Sequence, residues 1–185
     1  IAFGRLTPDN VTGNSVTQWH GGNNLYFWDR AYEYILRINT FLEKMETVEI
    51  TLDNKDVLVA EARFLRGWIY FNMIERFGDV PLVTETYELG SDHTFTSTPF
   101  DQVVAFIETE FAAIMPTLPK YYSSADSNFG RPTQAICQAI LSRMHLYAAS
   151  PLFNPNNDKA KWEKAYKSSK TFIDTYTEYA LYNNY

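Results

Sequence analysis

The feature that most constrains the fold is the stretch EARFLRGWIYFNMIERFGDVPLV, residues 61–83. Its apolar side chains cover more of a helix surface than one stripe, yet Arg63 and Arg66 stand among them. Gly78 and Pro81 predict a sharp helix end, because glycine accepts the positive φ of a C-terminal cap and proline cannot continue a helix. A helix of this kind needs neighbours on several sides, as in a stack of helical hairpins.

Helical periodicity predicts five helices, with little strand. They span about 26–45, 53–77, 98–116, 132–149 and 158–176. Residues 1–24 are rich in Gly, Asn, Thr and Pro and are predicted to form a loop segment. Thr98 and Asp101 predict a capping box at the start of the third helix. We therefore expect a single all-α domain over 1–185, with helical repeats from 25 to 185.

An internal repeat supports a stack. The pattern A-x-x-x-R-x-x-x-Y, which we call R-type, occurs in two helices, and W-x-x-A-Y, which we call W-type, occurs in two others. The members are Ala62, Arg66 and Tyr70; Ala139, Arg143 and Tyr147; Trp28, Ala31 and Tyr32; and Trp162, Ala165 and Tyr166. The pattern predicts a tetratricopeptide-like helical-hairpin stack with long irregular loops, in which the arginines and tyrosines are structural. Since no partner follows the last W-type helix, the C-terminal portion of the domain is expected to be missing from this chain.

Composition and motifs exclude several functions. The net charge is −6, and the sequence contains no basic stripe, so nucleic acid is not an expected partner. There is no apolar run long enough to cross a membrane and no signal peptide, and the chain is expected to be an interior piece of a longer protein. Cys137 is predicted to be a small buried residue. His20, His93 and His145 lack metal-ligand spacing, and no catalytic motif is present, so we expect neither a metal, nor a cofactor, nor an enzyme.

Four segments resemble one family. AEARFLRGWIYFNMIERFGDVPLVTE, residues 60–85, resembles the signature helix of the SusD/RagB family of Bacteroidetes outer-membrane lipoproteins, which typically reads E-A-[RK]-F-L-R-A, then aromatics, then F-G-x-[VI]-P-L. Residues 28–43, 130–154 and 162–174 resemble three further family motifs in the expected order. There are two small departures. Gly67 stands where the family usually has alanine, and Pro132 lies between Arg131 and Thr133 in the G-R-x-T-x-x-A motif.

The resemblance implies a SusD-like protein on the cell surface, anchored in the outer membrane by a lipid on an N-terminal cysteine outside this chain. Family members cover a SusC-like TonB-dependent transporter, to which they deliver captured oligosaccharides, or peptides in a minority of members. They serve nutrient uptake and polysaccharide utilisation without catalysis. They are also much longer than 185 residues.

Glycan capture requires exposed aromatic rings beside hydrogen-bonding side chains on loops or grooves. Two loops carry such residues. The candidate ligand-binding residues are Trp19, His20, Asn23, Asn24 and Tyr26 in QWHGGNNLYFW, and Tyr121 and Tyr122 in KYYSSADSNFGR. In the alternative interpretation these rings only plug the end of the stack or anchor a solvated loop. Other functions left open are peptide binding within the family, a generic tetratricopeptide adaptor for proteins and a helical-toroid glycoside hydrolase.

Overall fold

The computed structural model describes residues 27–49, 52–87 and 94–180. Within these ranges the chain forms five α-helices and one isolated antiparallel bridge. The helices are α1, Phe27–Thr47; α2, Lys55–Phe77; α3, Phe100–Ile114; α4, Gln134–Ala149; and α5, Lys159–Thr175. The predicted all-α fold is confirmed, and each helix lies within a few residues of its predicted bounds. None of the described helices combines the length and apolar content needed to cross a bilayer.

The helix α2 lies at the centre of the stack. It packs against α1 and α3 along its length and more briefly against α4, while α5 packs along α4. The largest fully buried side chains of α2 and α3 are Tyr70, Met73, Ile74, Val103, Ile107, Phe111 and Ile114. Neighbours on three sides explain why the sequence of α2 is apolar over most of its surface.

The end of α2 follows the predicted chemistry. Gly78 has φ +70° and donates its N–H to the carbonyl of Ile74 at 3.1 Å. Two residues later the chain is extended, and Val80 exchanges backbone hydrogen bonds of 3.2 and 3.0 Å with Thr98. A side chain other than glycine would be strained at this φ, so the reversal after α2 depends on Gly78.

The predicted capping box of α3 is wrong. The Thr98 hydroxyl accepts from the N–H of Leu82 at 3.3 Å, and Asp101 pairs with Lys161 of α5 at 2.8 Å. The first N–H of α3, on Phe100, is instead accepted by Asp79 Oδ1 at 2.8 Å. A partner twenty-one residues away replaces the local cap, since the Val80–Thr98 bridge brings Asp79 to the start of α3.

Gly67 departs from the family alanine because a neighbouring ring takes the space. A Cβ built at Gly67 would lie 2.6 Å from Cε1 of Phe111, a fully buried ring stacked on Phe64 at 5.5 Å. We expect Gly67→Ala to destabilise the protein by about 1–2 kcal/mol, since overpacking outweighs the gain in helix propensity. Urea unfolding of Gly67→Ala and of Gly67→Ala with Phe111→Leu measures this. Two results would contradict this expectation. One is a Gly67→Ala protein as stable as the native protein, and the other is a double variant that is no more stable than Phe111→Leu alone.

The repeated sequence patterns are not equally buried. In α1, Trp28 packs edge-on against Tyr32 and Phe77, whereas the corresponding Trp162 and Tyr166 of α5 are 42% and 64% exposed. The R-type faces differ in the same way. Arg66 is buried in α2, and Arg143 is exposed in α4. The repeat therefore records a common helix type, and the position of each helix in the stack decides what covers it.

The prediction that Cys137 is a small buried residue is confirmed. The residue is fully buried in α4, and burial raises the pKa of its thiol to about 12. A thiol with so high a pKa stays protonated at neutral pH, so Cys137 behaves as a small apolar side chain.

Candidate functional site

An extended segment after α2 is held by tyrosine and asparagine side chains of the stack. We call residues 80–86 the strap. The Tyr32 hydroxyl donates to the carbonyl of Pro81 at 2.8 Å. Asn39, 3% exposed, donates through Nδ2 to the carbonyls of Val83 and Glu85 at 3.2 and 3.1 Å. These contacts fix the backbone of the strap against α1.

The R-type motif of α2 holds the other side of the strap. The Tyr70 hydroxyl donates to the carbonyl of Val83 at 3.0 Å and accepts from the N–H of the same residue at 2.7 Å. Arg66 Nη1 donates to the carbonyl of Thr84 at 3.3 Å and to Asn39 Oδ1 at 2.9 Å. Burial raises the pKa of the Tyr70 phenol to about 12, so it remains a donor at neutral pH. The motif residues of α1 and α2 are thus structural, and they position the strap.

Beneath the strap lies a buried ion cluster. Glu110 of α3, 6% exposed, accepts from Arg66 Nη2 at 2.7 Å and from Arg63 Nη2 at 2.8 Å. Burial alone would raise the pKa of the Glu110 carboxyl, but hydrogen bonds and charge from the two guanidinium groups outweigh it and lower the pKa. One carboxylate therefore ties two arginines of α2 to α3.

A polar cleft of about 910 Å³ opens beside this cluster. Its lining includes charged side chains of both signs: Glu43, Glu46, Lys55, Asp56, Arg63, Arg66 and Glu85. None of the described residues that line it is aromatic. Such a cleft can hydrogen-bond hydroxyl groups, but its described lining offers no ring on which a sugar could stack.

Acid–base groups of α3, α4 and α5 meet in one partly buried contact. His145 is 6% exposed, and its Nε2 lies 2.7 Å from Glu108 Oε1, which also lies 2.5 Å from Lys164 Nζ. Burial opposes ionisation of Glu108, but hydrogen bonds from His145 and Lys164 outweigh it and lower its pKa. Within the described part of the chain, no three His, Cys, Asp or Glu side chains are grouped to hold a metal. The trio joins three helices, which is a structural role.

The loop between α3 and α4 presents the second predicted site. Tyr121 is 44% exposed and Tyr122 is half-buried. Arg131 fastens the end of the loop to α2 through a bidentate pair with Glu61, at 2.8 and 2.6 Å. A bidentate pair restricts the orientation of the guanidinium and also neutralises its charge, so it holds the end of the loop in place. The two tyrosines are therefore carried on an anchored loop.

Sequence reasoning missed one ring of this loop. Phe129 is 64% exposed, and its neighbour Asn128 accepts from Arg131 Nη1 through Oδ1 at 3.3 Å. An exposed phenylalanine beside an amide and a guanidinium has the composition of a sugar-binding surface. The signal was present in the stretch SNFGR, where a lone aromatic lies among small and polar residues.

The first predicted site lies outside the described residues. Its members are Trp19, His20, Asn23, Asn24 and Tyr26. The structure therefore places two of the seven candidate residues, Tyr121 and Tyr122, and the ligand-binding role of all seven stays a prediction.

The fold and these surfaces define a class: a helical-hairpin scaffold that presents rings and polar groups on anchored loops. A family model, SusD-like and described as "Starch-binding associating with outer membrane", matches residues 7–146, which include α1 to α3 and most of α4. The chain belongs to the SusD/RagB family. The resemblance drawn from its motifs is thereby confirmed.

Individual relatives agree with this assignment. A laminarin-binding SusD-like protein of known structure is 25% identical with a TM-score of 0.65, and the match covers 81% of this chain and 30% of that protein. Surface glycan-binding protein A from Bacteroides uniformis is 29% identical with a TM-score of 0.63, over 84% and 33%. SusD-like protein P2 from Formosa agariphila is 24% identical over 123 residues, 65% of this chain and 23% of that protein. The chain thus spans a third or less of the length of each of these relatives.

Proposed function

We propose that the protein is a cell-surface glycan-binding protein that delivers oligosaccharide to a SusC-like TonB-dependent transporter. The observation that carries the proposal is the family match over residues 7–146, whose description names starch binding and association with the outer membrane. The laminarin-binding and surface glycan-binding relatives support the same ligand class. Attachment through a lipid on an N-terminal cysteine belongs to the proposal.

The proposed ligand contacts are aromatic. Tyr121 and Phe129 expose 44% and 64% of their surface on the anchored loop, and Asn128 and Arg131 flank Phe129 in the chain segment 128–131. A sugar ring can stack its C–H face on such rings while its hydroxyls bond amide and guanidinium groups. Trp19 and its neighbours form the second proposed contact surface. Each site should bind modestly, since sugar hydroxyls exchange water bonds for protein bonds at small net gain.

The proposed role is binding without chemistry. The family description names binding rather than a reaction. The acid–base groups Glu108, His145 and Lys164 are committed to one another at the junction of three helices. Turnover of a polysaccharide, abolished by a Glu→Gln change, would overturn this part of the proposal.

Affinity electrophoresis of the full-length protein on polysaccharide gels tests the function. We expect retardation on one glycan, weakened about tenfold in Tyr121→Ala or Trp19→Ala, whichever ring stacks on the sugar. Tyr166→Ala is the matched control, because this ring is 64% exposed on α5 and belongs to neither candidate loop. A peptide panel runs in parallel. Peptide binding without retardation on any glycan would replace sugar by peptide as the cargo, and retardation unchanged in both loop variants would move the site elsewhere.

A further inference from the structure

An apolar groove of about 610 Å³ lies between α1 and α2, and none of the residues that line it holds the strap. The wall from α1 is formed by Phe27, Tyr34, Ile38 and Phe41, and the wall from α2 by Ala62, Leu65, Trp68 and Ile69. On each helix these positions recur at intervals of three, four or seven residues, so each wall is one face of its helix. Two such faces side by side form the kind of groove into which a third helix packs.

The large side chains of this groove are only partly covered. Tyr34, Leu65 and Trp68 are 43%, 43% and 44% exposed. Within the part of the chain that the structure describes, no other ring packs against Tyr34 or Trp68. Large apolar side chains that are exposed together along one groove are typical of an interaction surface.

A line of basic side chains, which we call the basic row, borders the groove along α1. Arg30, Arg37 and Lys44 are exposed and recur every seven residues, so they follow one side of the helix. Arg37 pairs with Glu33 at 2.5 Å, whereas Arg30 and Lys44 make no ion pair within the described residues. By helix geometry Asp29 and Glu33 lie beyond the row, on the side away from the groove. The groove therefore has a positive edge, and no carboxylate belongs to its described lining.

We propose that this groove binds an amphipathic helix of a partner protein, whose apolar stripe packs between the two walls and whose acidic edge faces the basic row. The charge of the row selects a partner with Asp or Glu along that edge. A helix satisfies its own backbone hydrogen bonds, whereas an extended peptide or a glycan would bring polar groups to walls that are apolar apart from Arg37 and the Tyr34 hydroxyl. The inference does not depend on the proposed glycan site, with which it shares no residue.

Fluorescence anisotropy of labelled helical peptides tests the proposal. The first probe has three repeats of the heptad L-A-A-L-A-Q-E, in which the leucines form a stripe and the glutamates an edge. The second probe has lysine at each glutamate position. Both are titrated with the full-length protein at low salt, where exposed charges are least screened. We expect saturable binding of the glutamate probe, about tenfold tighter than that of the lysine probe.

Three variants locate the site. Arg30→Glu combined with Arg37→Glu should reverse the preference, so that the lysine probe binds more tightly, and a simple loss of structure cannot give that result. Tyr34→Ala removes a ring of the groove and should weaken the binding of both probes about fivefold. Lys167→Glu is the matched control, because this exposed lysine pairs with Glu163 on α5, outside the groove. It should leave both affinities unchanged.

Other occupants of the groove give different results, and each of them would overturn the proposal. Failure of both probes to bind would mean that no partner helix enters, and equal affinity for both probes would mean that the basic row selects nothing. Sedimentation of a dimer that Tyr34→Ala dissociates would assign the groove to a second copy of the chain. Co-sedimentation with phosphatidylglycerol–phosphatidylcholine vesicles, lost in Arg30→Glu with Arg37→Glu while neither probe binds, would assign this face to a lipid surface.

Discussion

A protein in which leucine replaces Glu110 is expected to lose about 3–5 kcal/mol of unfolding free energy. Glu110 is the carboxylate between Arg63 and Arg66, and Arg66 is itself only 8% exposed. Leucine fills the space but leaves Arg66 buried without its anion, which costs more than the native pair contributes. Urea unfolding of the native and variant proteins measures the loss.

Two further variants make this test specific. Glu33→Leu removes an exposed carboxylate that pairs with Arg37 on α1, and we expect a change within about 0.5 kcal/mol. Glu110→Leu combined with Arg66→Met should recover part of the loss, because the charge that then remains without its partner, on Arg63, is 30% exposed rather than buried. A Glu110→Leu protein as stable as the Glu33→Leu control would show that the cluster does not hold α2 to α3.

The same cluster sets an acid limit on stability. The arginines hold the folded-state pKa of Glu110 below its ordinary value of 4.5, despite burial. Its contribution is therefore complete above about pH 4.5 and is lost as the pH falls through the folded-state pKa. Glu110→Gln should be less stable than the native protein at neutral pH, and the difference should shrink in acid. A constant difference across that range would mean that the carboxylate charge contributes nothing.

Sequence patterns predicted the structural features that depend on residues close together in the chain. The periodicity of apolar residues placed five helices, and Gly78 with Pro81 placed the end of α2, because those signals act within a few residues. The predicted cap of α3 was wrong because the real cap depends on a residue distant in sequence. Asp79 reaches Phe100 only after the Val80–Thr98 bridge has formed, and no local pattern encodes that contact.

The surroundings of the candidate ligand-binding residues could be predicted only in part. Loop composition selected Tyr121 and Tyr122, whose ligand-binding role stays a prediction, and the structure places them on an anchored loop. The anchor itself, Arg131 with Glu61, joins residues seventy positions apart and had no sequence signal. The different burial of Arg66 and Arg143 could not be predicted either, since identical motifs carry no information on which one the strap will cover.

Replacement of Asn39 by alanine is expected to cost about 3 kcal/mol and to loosen the strap. Asn39 donates to the carbonyls of Val83 and Glu85 and accepts from Arg66, all at a position 3% exposed. Alanine removes three hydrogen bonds at once and leaves buried groups without partners. Urea unfolding measures the stability, and amide hydrogen exchange of residues 83–86 measures the strap directly.

A matched asparagine separates this effect from a general response of the helices. Asn72 of α2 donates only within its own helix, to the carbonyl of Trp68 at 2.8 Å, so Asn72→Ala should change stability by no more than about 0.5 kcal/mol and leave strap exchange unchanged. Loss of stability in Asn39→Ala without faster exchange at Val83 would assign Asn39 to the core alone. Faster exchange at Val83 beyond the global loss would show that Asn39 acts by holding the strap, since Tyr70 and Arg66 would then be insufficient to keep it in place.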